Sequence, residues 1–293
     1  MQNSAGLTAG DLLRDRLSGG DILALPGVYD VFSATLVGAH FDAVFCSGYG
    51  LSASHYGLPD AGYISASDVV SYAGRVRAVL PATHILVDID DGFGDPDVAC
   101  DVIRRLELAN ASAVMMEDQK RPKKCGHLDG KRIVPVDDYI TRLTQVLERR
   151  ASMFVLARTD ASSLDEGIFR AKAFAEAGAD AVMVEGIRDL EALEQLRAAI
   201  PDSVSIAVNL ILGGKTQPVT LTSLASAGAN LAIYSTPCLY AAHAAIEATI
   251  RDLVATDGLL GNGGPSVNLD ENVAHLQSVQ LGRFAPQSSE AMA

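Results

Sequence analysis

The unit from which this fold is built reads Glu176-Ala177-Gly178-Ala179-Asp180-Ala181-Val182-Met183-Val184-Glu185-Gly186. A helix ends at its first glycine, because glycine readily takes the positive φ that terminates a helix. The apolar run that follows lacks alternation, which is typical of a strand buried on both faces of a parallel sheet. The strand then ends on a carboxylate. Similar turns lead into apolar runs at Ser226-Ala227-Gly228-Ala229-Asn230-Leu231 and, more loosely, at Leu108-Ala109-Asn110-Ala111-Ser112-Ala113.

Apolar runs of this kind recur eight times, at residues 22–25, 43–46, 85–89, 113–116, 154–157, 181–184, 205–208 and 231–234. Amphipathic stretches separate several of them, at residues 97–109, 137–150, 165–177 and 190–200. Eight strand–helix units in about 250 residues predict an α/β protein, a (β/α)8 TIM barrel. The alternative is a doubly wound open sheet, which would require a glycine-rich phosphate loop after the first strand. The segment there, Pro26-Gly27-Val28-Tyr29-Asp30, is not such a loop.

The composition is uniform as far as about residue 256. We therefore predict one catalytic barrel at residues 1–256 and a C-terminal helical extension at residues 257–293. The extension begins with a glycine-rich hinge at residues 258–264, continues with a short helix at residues 270–279 and ends in a polar tail at residues 285–293.

The charge balance excludes several classes of partner. The 293 residues include 36 acidic and 23 basic side chains, so the formal net charge is −13. Such an excess disfavours binding to nucleic acid or to anionic membranes. No run reaches the roughly 18 apolar residues of a spanning helix, and the N-terminal stretch does not resemble a signal peptide. The four cysteines form no CxxC pair, so we expect a cytoplasmic protein with reduced thiols.

Polar residues follow the strands at the ends that a barrel brings to one face. They occur in Ser47-Gly48-Tyr49-Gly50, Asp88-Ile89-Asp90-Asp91, Glu117-Asp118, Arg158-Thr159-Asp160, Glu185-Gly186 and Asn209. One charged strand end is usually a solvated cap, but repetition at consecutive strands needs another explanation. Clustered carboxylates repel one another unless a cation is bound, and oxygen ligands suit Mg²⁺ or Mn²⁺. The pattern therefore predicts a divalent-metal site.

A second group of reactive residues follows the fourth strand as Lys123-Lys124-Cys125-Gly126-His127. Neighbouring positive charge stabilises a thiolate, so we expect Cys125 to titrate near neutrality and to serve as an acid or a base. The alternative is a surface loop with an incidental cysteine.

The chain resembles the isocitrate lyase/phosphoenolpyruvate mutase superfamily over residues 20–256. The resemblance rests on Ser47-Gly48, Gly57-Leu58-Pro59-Asp60, Asp88-Ile89-Asp90-Asp91-Gly92-Phe93-Gly94, Glu117-Asp118-Gln119, Lys123-Lys124-Cys125-Gly126-His127, Ala157-Arg158-Thr159-Asp160-Ala161, Glu185-Gly186, Asn209 and Gly213-Gly214-Lys215-Thr216. It implies a Mg²⁺-dependent barrel enzyme that acts on the bond next to a 2-oxo or 2-hydroxy carboxylate. It also implies a homotetramer in which neighbours exchange C-terminal helices.

The resemblance implies a role for each site residue. The metal group is Asp88, Asp90, Glu117 and Asp60, and the substrate-binding group is Ser47, Gly48, Tyr49, Asp88, Gly126, Arg158, Glu185 and Asn209. The catalytic group is Cys125, Lys123, His127 and Arg158. The loop that carries Cys125 would close over the substrate, and Cys125 would protonate the carbanion left by retro-aldol cleavage.

Two departures from the resemblance bear on the substrate. Methylisocitrate lyases carry a glutamate where this chain has Leu212, and an arginine near the position of Tyr240. A less charged distal pocket favours a substituted malate over a tricarboxylate of the methylisocitrate type. A (carboxy)phosphoenolpyruvate phosphonomutase and an oxaloacetate-type decarboxylase or hydrolase remain as alternatives.

Overall fold

The computed structural model describes residues 6–260 and 266–284. Its sheet is a closed barrel of eight parallel strands in chain order, in which the last strand pairs with the first. The strands are β1 (Leu23–Val28), β2 (Ala43–Cys46), β3 (His84–Asp88), β4 (Ala113–Glu117), β5 (Phe154–Thr159), β6 (Ala181–Val184), β7 (Ser205–Leu210) and β8 (Leu231–Tyr234). The predicted (β/α)8 barrel is confirmed, and each of the eight apolar runs forms a strand. The largest difference is at β1, which continues through Pro26 and Gly27 because Pro26 pairs with Tyr234.

The helices are α1 (Ala9–Ser18), α2 (Val31–Gly38), α3 (Gly48–Tyr56), α4 (Ala66–Val79), α5 (Pro96–Leu108), α6 (Val136–Arg149), α7 (Leu164–Glu176), α8 (Leu190–Ala199), α9 (Leu221–Ser226), α10 (Pro237–Ala255) and α11 (Leu269–Phe284). The four amphipathic stretches correspond to α5 to α8. The turns before β6 and β8 have positive φ at Gly178 (100°) and Gly228 (95°), and the looser turn before β4 has it at Asn110 (59°). The repeated turn motif therefore ends a helix each time it occurs.

The hydrophobic core has two layers, because neighbouring residues of a strand face opposite sides of the sheet. Phe45 and Met115 belong to the layer inside the barrel, whereas Val44 and Val114 belong to the layer between the barrel and the helices. All four side chains are buried. Burial on both faces explains why the strand sequences are apolar without alternation.

Helix α1 packs against the interior layer of the barrel. Leu13 and Leu17 are buried among its side chains. Arg14 donates to the carbonyl of Ser152 at 2.8 Å and to Asp180 Oδ1 at 2.9 Å, at residues that precede β5 and β6. Since both contacts lie at strand starts, α1 covers the end of the barrel opposite to the strand ends.

The two C-terminal helices are exposed along much of their length. The 19-residue α10 contains no buried residue, and its side chains Ile246, Ile250 and Val254 are more than half exposed. In α11, which is longer than the short helix expected at residues 270–279, His275 Nε2 lies 2.8 Å from Thr35 Oγ1 of α2. Residues 261–264 of the expected hinge and the expected tail at residues 285–293 lie outside the described residues.

None of the helices in the described part of the chain combines the length and apolar character needed to cross a membrane.

Candidate active site

The carboxylates of the rim come from the ends of β3 and β4. Asp88 is the last residue of β3 and Glu117 is the last residue of β4. Asp90 follows in a tight turn with a φ of 50°, in which its N–H donates to Asp88 Oδ1 at 3.1 Å. The N–H of Glu117 donates to the Asp90 carbonyl at 2.8 Å. These bonds fix the backbone of Asp90 relative to Asp88 and Glu117, and all three carboxylates are buried.

Burial makes these carboxylates harder to ionise. It raises the pKa of Asp88 to about 6, against the lowering effect of Lys123. Burial also raises the pKa of Asp90 and that of Glu117, the latter well above its usual value. Such shifts arise when desolvation exceeds the charge compensation available. The cluster therefore favours an additional cation.

Lys123 supplies part of that compensation from above the rim. It belongs to residues 118–135, the segment between β4 and α6, which we call the catalytic loop. Its buried ammonium lies 2.9 Å from Asp60 Oδ1 and also contacts Asp90. Burial alone would lower the pKa of Lys123, but the charges of Asp90, Asp60 and Glu117 outweigh it and raise the pKa well above its usual value. Lys123 is therefore a fixed cation at the rim.

The donor set at the rim also fits a divalent metal. Within residues 6–260 and 266–284, no three His, Cys, Asp or Glu side chains are already grouped as a metal site. In the same residues, Asp90 Oδ2 and both carboxylate oxygens of Glu117 are buried without a hydrogen-bond partner. Buried carboxylate oxygens normally have partners, and Mg²⁺ binds through one or two carboxylates and several waters. These oxygens could accept such an ion.

Arg158 stands beside the carboxylates on β5, where strand register pairs it with Glu117. Its Nη1 lies 3.3 Å from Glu117 Oε2, and its Nε lies 3.6 Å from Glu185 Oε2. Asp160 holds the guanidinium, accepting from Nε at 2.9 Å and from Nη2 at 3.1 Å. Lys131 of the catalytic loop donates to the same Asp160 at 2.8 Å. The position of Arg158 is thus fixed on three sides.

A chain of polar contacts joins the catalytic loop to β6 and β7. His127 Nε2 lies 2.9 Å from Glu185 Oε1, which also accepts from Asn209 Nδ2 at 2.9 Å. Asn209 Oδ1 accepts from Ser235 Oγ at 2.7 Å. The N–H of Lys215 donates to His127 Nδ1 at 2.8 Å, so the proton of a neutral ring lies on Nε2, facing Glu185.

Glu185 is the one carboxylate of the site with a strongly lowered pKa. Burial acts to raise it, but the charge of Arg158 and the hydrogen bonds from His127 and Asn209 outweigh burial and lower it to about 2. Glu185 is therefore an anion throughout the neutral range.

These side chains enclose a small cavity. Its volume is about 20 Å³, and it is lined by Phe45, Ser47, Tyr49, Asp60, Asp88, Met115, Cys125, Gly126, Arg158, Glu185, Asn209, Ile211 and Ser235. Most of the residues named from the sequence are in this lining. Four further residues of the predicted site contact the lining residues, namely Asp90, Glu117, Lys123 and His127. Gly48 is buried against Asp88.

The expectation that Cys125 titrates near neutrality is wrong. Burial raises the pKa of its thiol, with Asp60 and Glu185 acting in the same direction. Lys123 is paired with carboxylates, and Lys124 points to the carbonyl of Asp129. The neighbouring charges therefore do not stabilise a thiolate, and Cys125 is a protonated thiol in the neutral range.

Several lining residues were absent from the sequence-based group. Ser235 directly follows β8, so the strand-end rule that identified Asn209 would also have found it. Phe45, Met115 and Ile211 resemble ordinary core residues in the sequence, and only their place near the strand ends brings them to the cavity. Lys215 of the Gly213–Thr216 motif bonds to Asp129 Oδ1 at 2.8 Å and lies outside the lining.

The chain matches known proteins over most of its length. The family model described as phosphoenolpyruvate phosphomutase matches residues 13–254. A 2,3-dimethylmalate lyase of Eubacterium barkeri is 33% identical over 238 residues, covering 78% of this chain and 81% of the relative. A 2-methylisocitrate lyase of Bacillus subtilis (strain 168) is 38% identical over 240 residues, covering 80% and 78%.

Solved structures show the same architecture. An oxaloacetate acetylhydrolase in complex with the inhibitor 3,3-difluorooxalacetate superposes with a TM-score of 0.87 at 26% identity, covering 94% of this chain and 96% of that one. A phosphonopyruvate hydrolase in complex with oxalate and Mg²⁺ has a TM-score of 0.81 at 22% identity, covering 96% and 99%.

A parallel barrel with a carboxylate rim and a loop that closes the site defines this chain as an enzyme. It belongs to the phosphoenolpyruvate mutase/isocitrate lyase superfamily, in which its named relatives are carbon–carbon lyases.

Proposed function

We propose that the enzyme cleaves the C2–C3 bond of a substituted malate by retro-aldol chemistry, with Cys125 as the general acid. The observation that carries this proposal is the place of Cys125, a protonated thiol in the lining of the same small cavity as Arg158. A carbanion generated there would meet a proton donor of the loop.

The reaction balances as follows. The 2-hydroxyl group loses its proton to the anionic rim, a C2=O double bond forms and the C2–C3 bond breaks. The bonding electron pair moves to C3 and into its carboxylate. Cys125 then gives its proton to C3 and is reprotonated from solvent when the loop opens. The products are a 2-oxo acid and a saturated carboxylate.

The chain's own polar groups suit the substrate's charges. Arg158 offers a guanidinium to a carboxylate or to the developing oxyanion. The Ser47 hydroxyl and the start of α3 offer donors to a carboxylate, because N–H groups are free in the first turn of a helix. Glu185 is an anion that fixes His127 and Asn209, so it positions the loop over the substrate.

We further propose that Asp88, Asp90, Glu117 and Asp60 hold a Mg²⁺ or Mn²⁺ ion, partly through water. When bound, the ion supplies positive charge that stabilises the oxygens of the 2-hydroxy acid during cleavage. The oxygens of Asp90 and Glu117 that lack a hydrogen-bond partner and the raised pKa values of the rim support this assignment.

The substituted malate is preferred because, among the described residues, Arg158 is the one cation in the cavity lining. At the wall formed by Tyr49, this side chain meets Tyr240 edge to face with ring centroids 6.3 Å apart, and its pKa is raised to about 12 by burial and by its hydrogen bond to Tyr240. Leu212 is 86% exposed and lies outside the cavity lining, whereas the neighbouring Ile211 is part of that lining. A third carboxylate would find no cation on this wall. Alkyl groups need none, so the wall can accept them.

The experiment is a substrate panel with Mg²⁺, followed by ¹H NMR. It contains 2- and 3-alkylmalates, methylisocitrate and oxaloacetate. We expect the highest kcat/KM for an alkylmalate. Equal rates with methylisocitrate would contradict the proposed substrate class, and absence of cleavage across the panel would contradict the lyase.

A hydrolase for oxaloacetate is the second candidate, since the similar structure cited above is an oxaloacetate acetylhydrolase. Hydrated oxaloacetate is itself a 2-hydroxy acid, so the same residues could cleave its C2–C3 bond to oxalate and acetate. These products distinguish it in the panel. A phosphonomutase would instead show a phosphonate signal in ³¹P NMR with a phosphoenolpyruvate substrate.

We also propose a cytoplasmic homotetramer in which the extension at residues 257–293 packs on a neighbouring barrel. The exposed apolar side chains of α10 and α11 support this assembly, because such faces are usually covered by a partner. Mass photometry tests it: a tetramer is expected, and a monomer at micromolar concentration would contradict it.

A further inference from the structure

The catalytic loop is held at its base by backbone pairing. Gln119 and Ile133 form an antiparallel bridge, and the N–H of Val134 donates to the Asp118 carbonyl at 3.0 Å. The two ends of the loop are therefore joined like the start of a hairpin. This pairing fixes where the loop begins and ends, but it leaves the tip with Cys125 to be placed by other contacts.

The side chain of Gln119 makes two such contacts with a single residue of the tip. Its Nε2 donates to the Lys124 carbonyl at 2.8 Å, and its Oε1 accepts from the Lys124 N–H at 3.0 Å. Gln119 is only 1% exposed, whereas the side chain of Lys124 faces solvent. The amide thus pairs with the backbone of Lys124 in the way that a neighbouring strand would.

This pairing acts directly on the peptide that leads into Cys125. A residue whose N–H and carbonyl are both bonded has little freedom in the orientation of its flanking peptide planes. On the other side, the carbonyl of Cys125 accepts from the N–H of Leu128 at 2.9 Å. The backbone is thus held before and after Cys125, so the direction of its thiol is set by the Gln119 amide together with this turn.

We propose that Gln119 is a positioning residue that orients Cys125 for proton transfer through its paired hydrogen bonds to Lys124. The inference rests on the proposed role of Cys125 as general acid. Only an amide can satisfy both contacts of the tip, since one atom must donate and the other must accept. A carboxylate at this position would place an acceptor oxygen against the Lys124 carbonyl, which is also an acceptor. A thioether would leave the N–H and the carbonyl of Lys124 without partners.

The test compares Gln119→Glu and Gln119→Met with the wild type. Gln195→Glu is the matched control, because Gln195 is exposed on α8 and the change adds the same charge. We expect both Gln119 variants to lose kcat by roughly 10- to 100-fold. KM should change less than about threefold, because Gln119 lies outside the cavity lining. The control should match the wild type in both constants. Unchanged kcat in Gln119→Met would overturn the proposal, as would an equal loss in the control.

A second measurement is independent of turnover and separates this proposal from the lyase assignment. Iodoacetamide labels Cys125, and mass spectrometry of its peptide gives the rate with and without oxalate and Mg²⁺. We expect oxalate to protect Cys125 in the wild type and in Gln195→Glu but not in the Gln119 variants. Equal protection in all four proteins would overturn the proposal even if malates were cleaved. If no malate were cleaved, this comparison would still decide the role of Gln119.

Wild-type protein provides a check that does not depend on the folding of a variant. In the presence of oxalate and Mg²⁺, the Lys124 amide should exchange with deuterium at least about tenfold more slowly than without them, because closure buries its bond to Gln119. Fast exchange of this amide in the complex would overturn the proposal.

Discussion

The Nε2 atom of His127 lies 2.9 Å from Oε1 of Glu185, and this contact joins the catalytic loop to the end of β6. Glu185 is an anion held by Arg158 and Asn209, so it offers the loop a rigid charged anchor. Because Cys125 is two residues from His127, the same contact brings the thiol over the cavity. The contact that holds the loop on the barrel therefore also places Cys125 in the cavity lining.

Replacing the thiol of Cys125 tests directly whether this residue is the general acid. We expect Cys125→Ser to reduce kcat by about 10²-fold or more, because a hydroxyl is a far weaker acid than a thiol. The circular dichroism spectrum and the Mg²⁺ affinity should match those of the wild type, since the change replaces one sulfur atom by oxygen and leaves the four carboxylates of the metal group in place. Unchanged turnover would remove Cys125 from the mechanism.

The pH dependence of the thiol follows from the raised pKa of Cys125. A group whose pKa is raised stays protonated at a pH where a free cysteine already ionises. We therefore expect iodoacetamide to label Cys125 more slowly than a free cysteine at pH 8.5, with the rate still rising above that pH. Peptide mass spectrometry measures the labelling rate of Cys125, with the half-buried Cys238 as an internal comparison. A labelling rate already at its plateau at pH 7 would contradict the raised pKa.

Closure depends on the absence of a side chain at Gly126. A Cβ atom there would overlap with Arg158 Nη2 and with the Glu185 side chain. We expect Gly126→Ala to fold normally and to lose kcat/KM by about 10²-fold, since small displacements of a catalytic group have effects of this size. Gly74→Ala is the matched control, because Gly74 lies in α4 with open space around it. Wild-type kinetics in Gly126→Ala would show that the loop works in another position.

The metal assignment depends most on Asp88. We expect Asp88→Ala to lose about 10²-fold or more in activity and to show no recovery when Mg²⁺ is added back after EDTA treatment. The wild type should recover fully in the same titration. A normal Mg²⁺ dependence in the variant would exclude Asp88 from the metal group.

The sequence predicts the barrel well because burial on both faces leaves a clear apolar signature in each strand, as in Ala181–Val184. It also predicts most of the cavity lining of the candidate site, because polar residues such as Asp88 and Arg158 lie at the ends of those strands. Burial depth is not visible in the sequence, which is why the pKa of Cys125 was expected to shift in the wrong direction. Contacts between the loop and the barrel, such as Lys131 with Asp160, depend on closure and cannot be read from local patterns.

The most direct test of the proposed function is cleavage of 2,3-dimethylmalate with Mg²⁺ in D₂O, followed by ¹H and ¹³C NMR. Breaking the C2–C3 bond gives pyruvate and propionate, and the thiol of Cys125 exchanges with solvent before it protonates C3. We expect propionate with one deuterium at the carbon that was C3, at a rate that Cys125→Ser reduces by about 10²-fold. Intact substrate, or propionate formed at the same rate by Cys125→Ser, would contradict the proposed lyase mechanism.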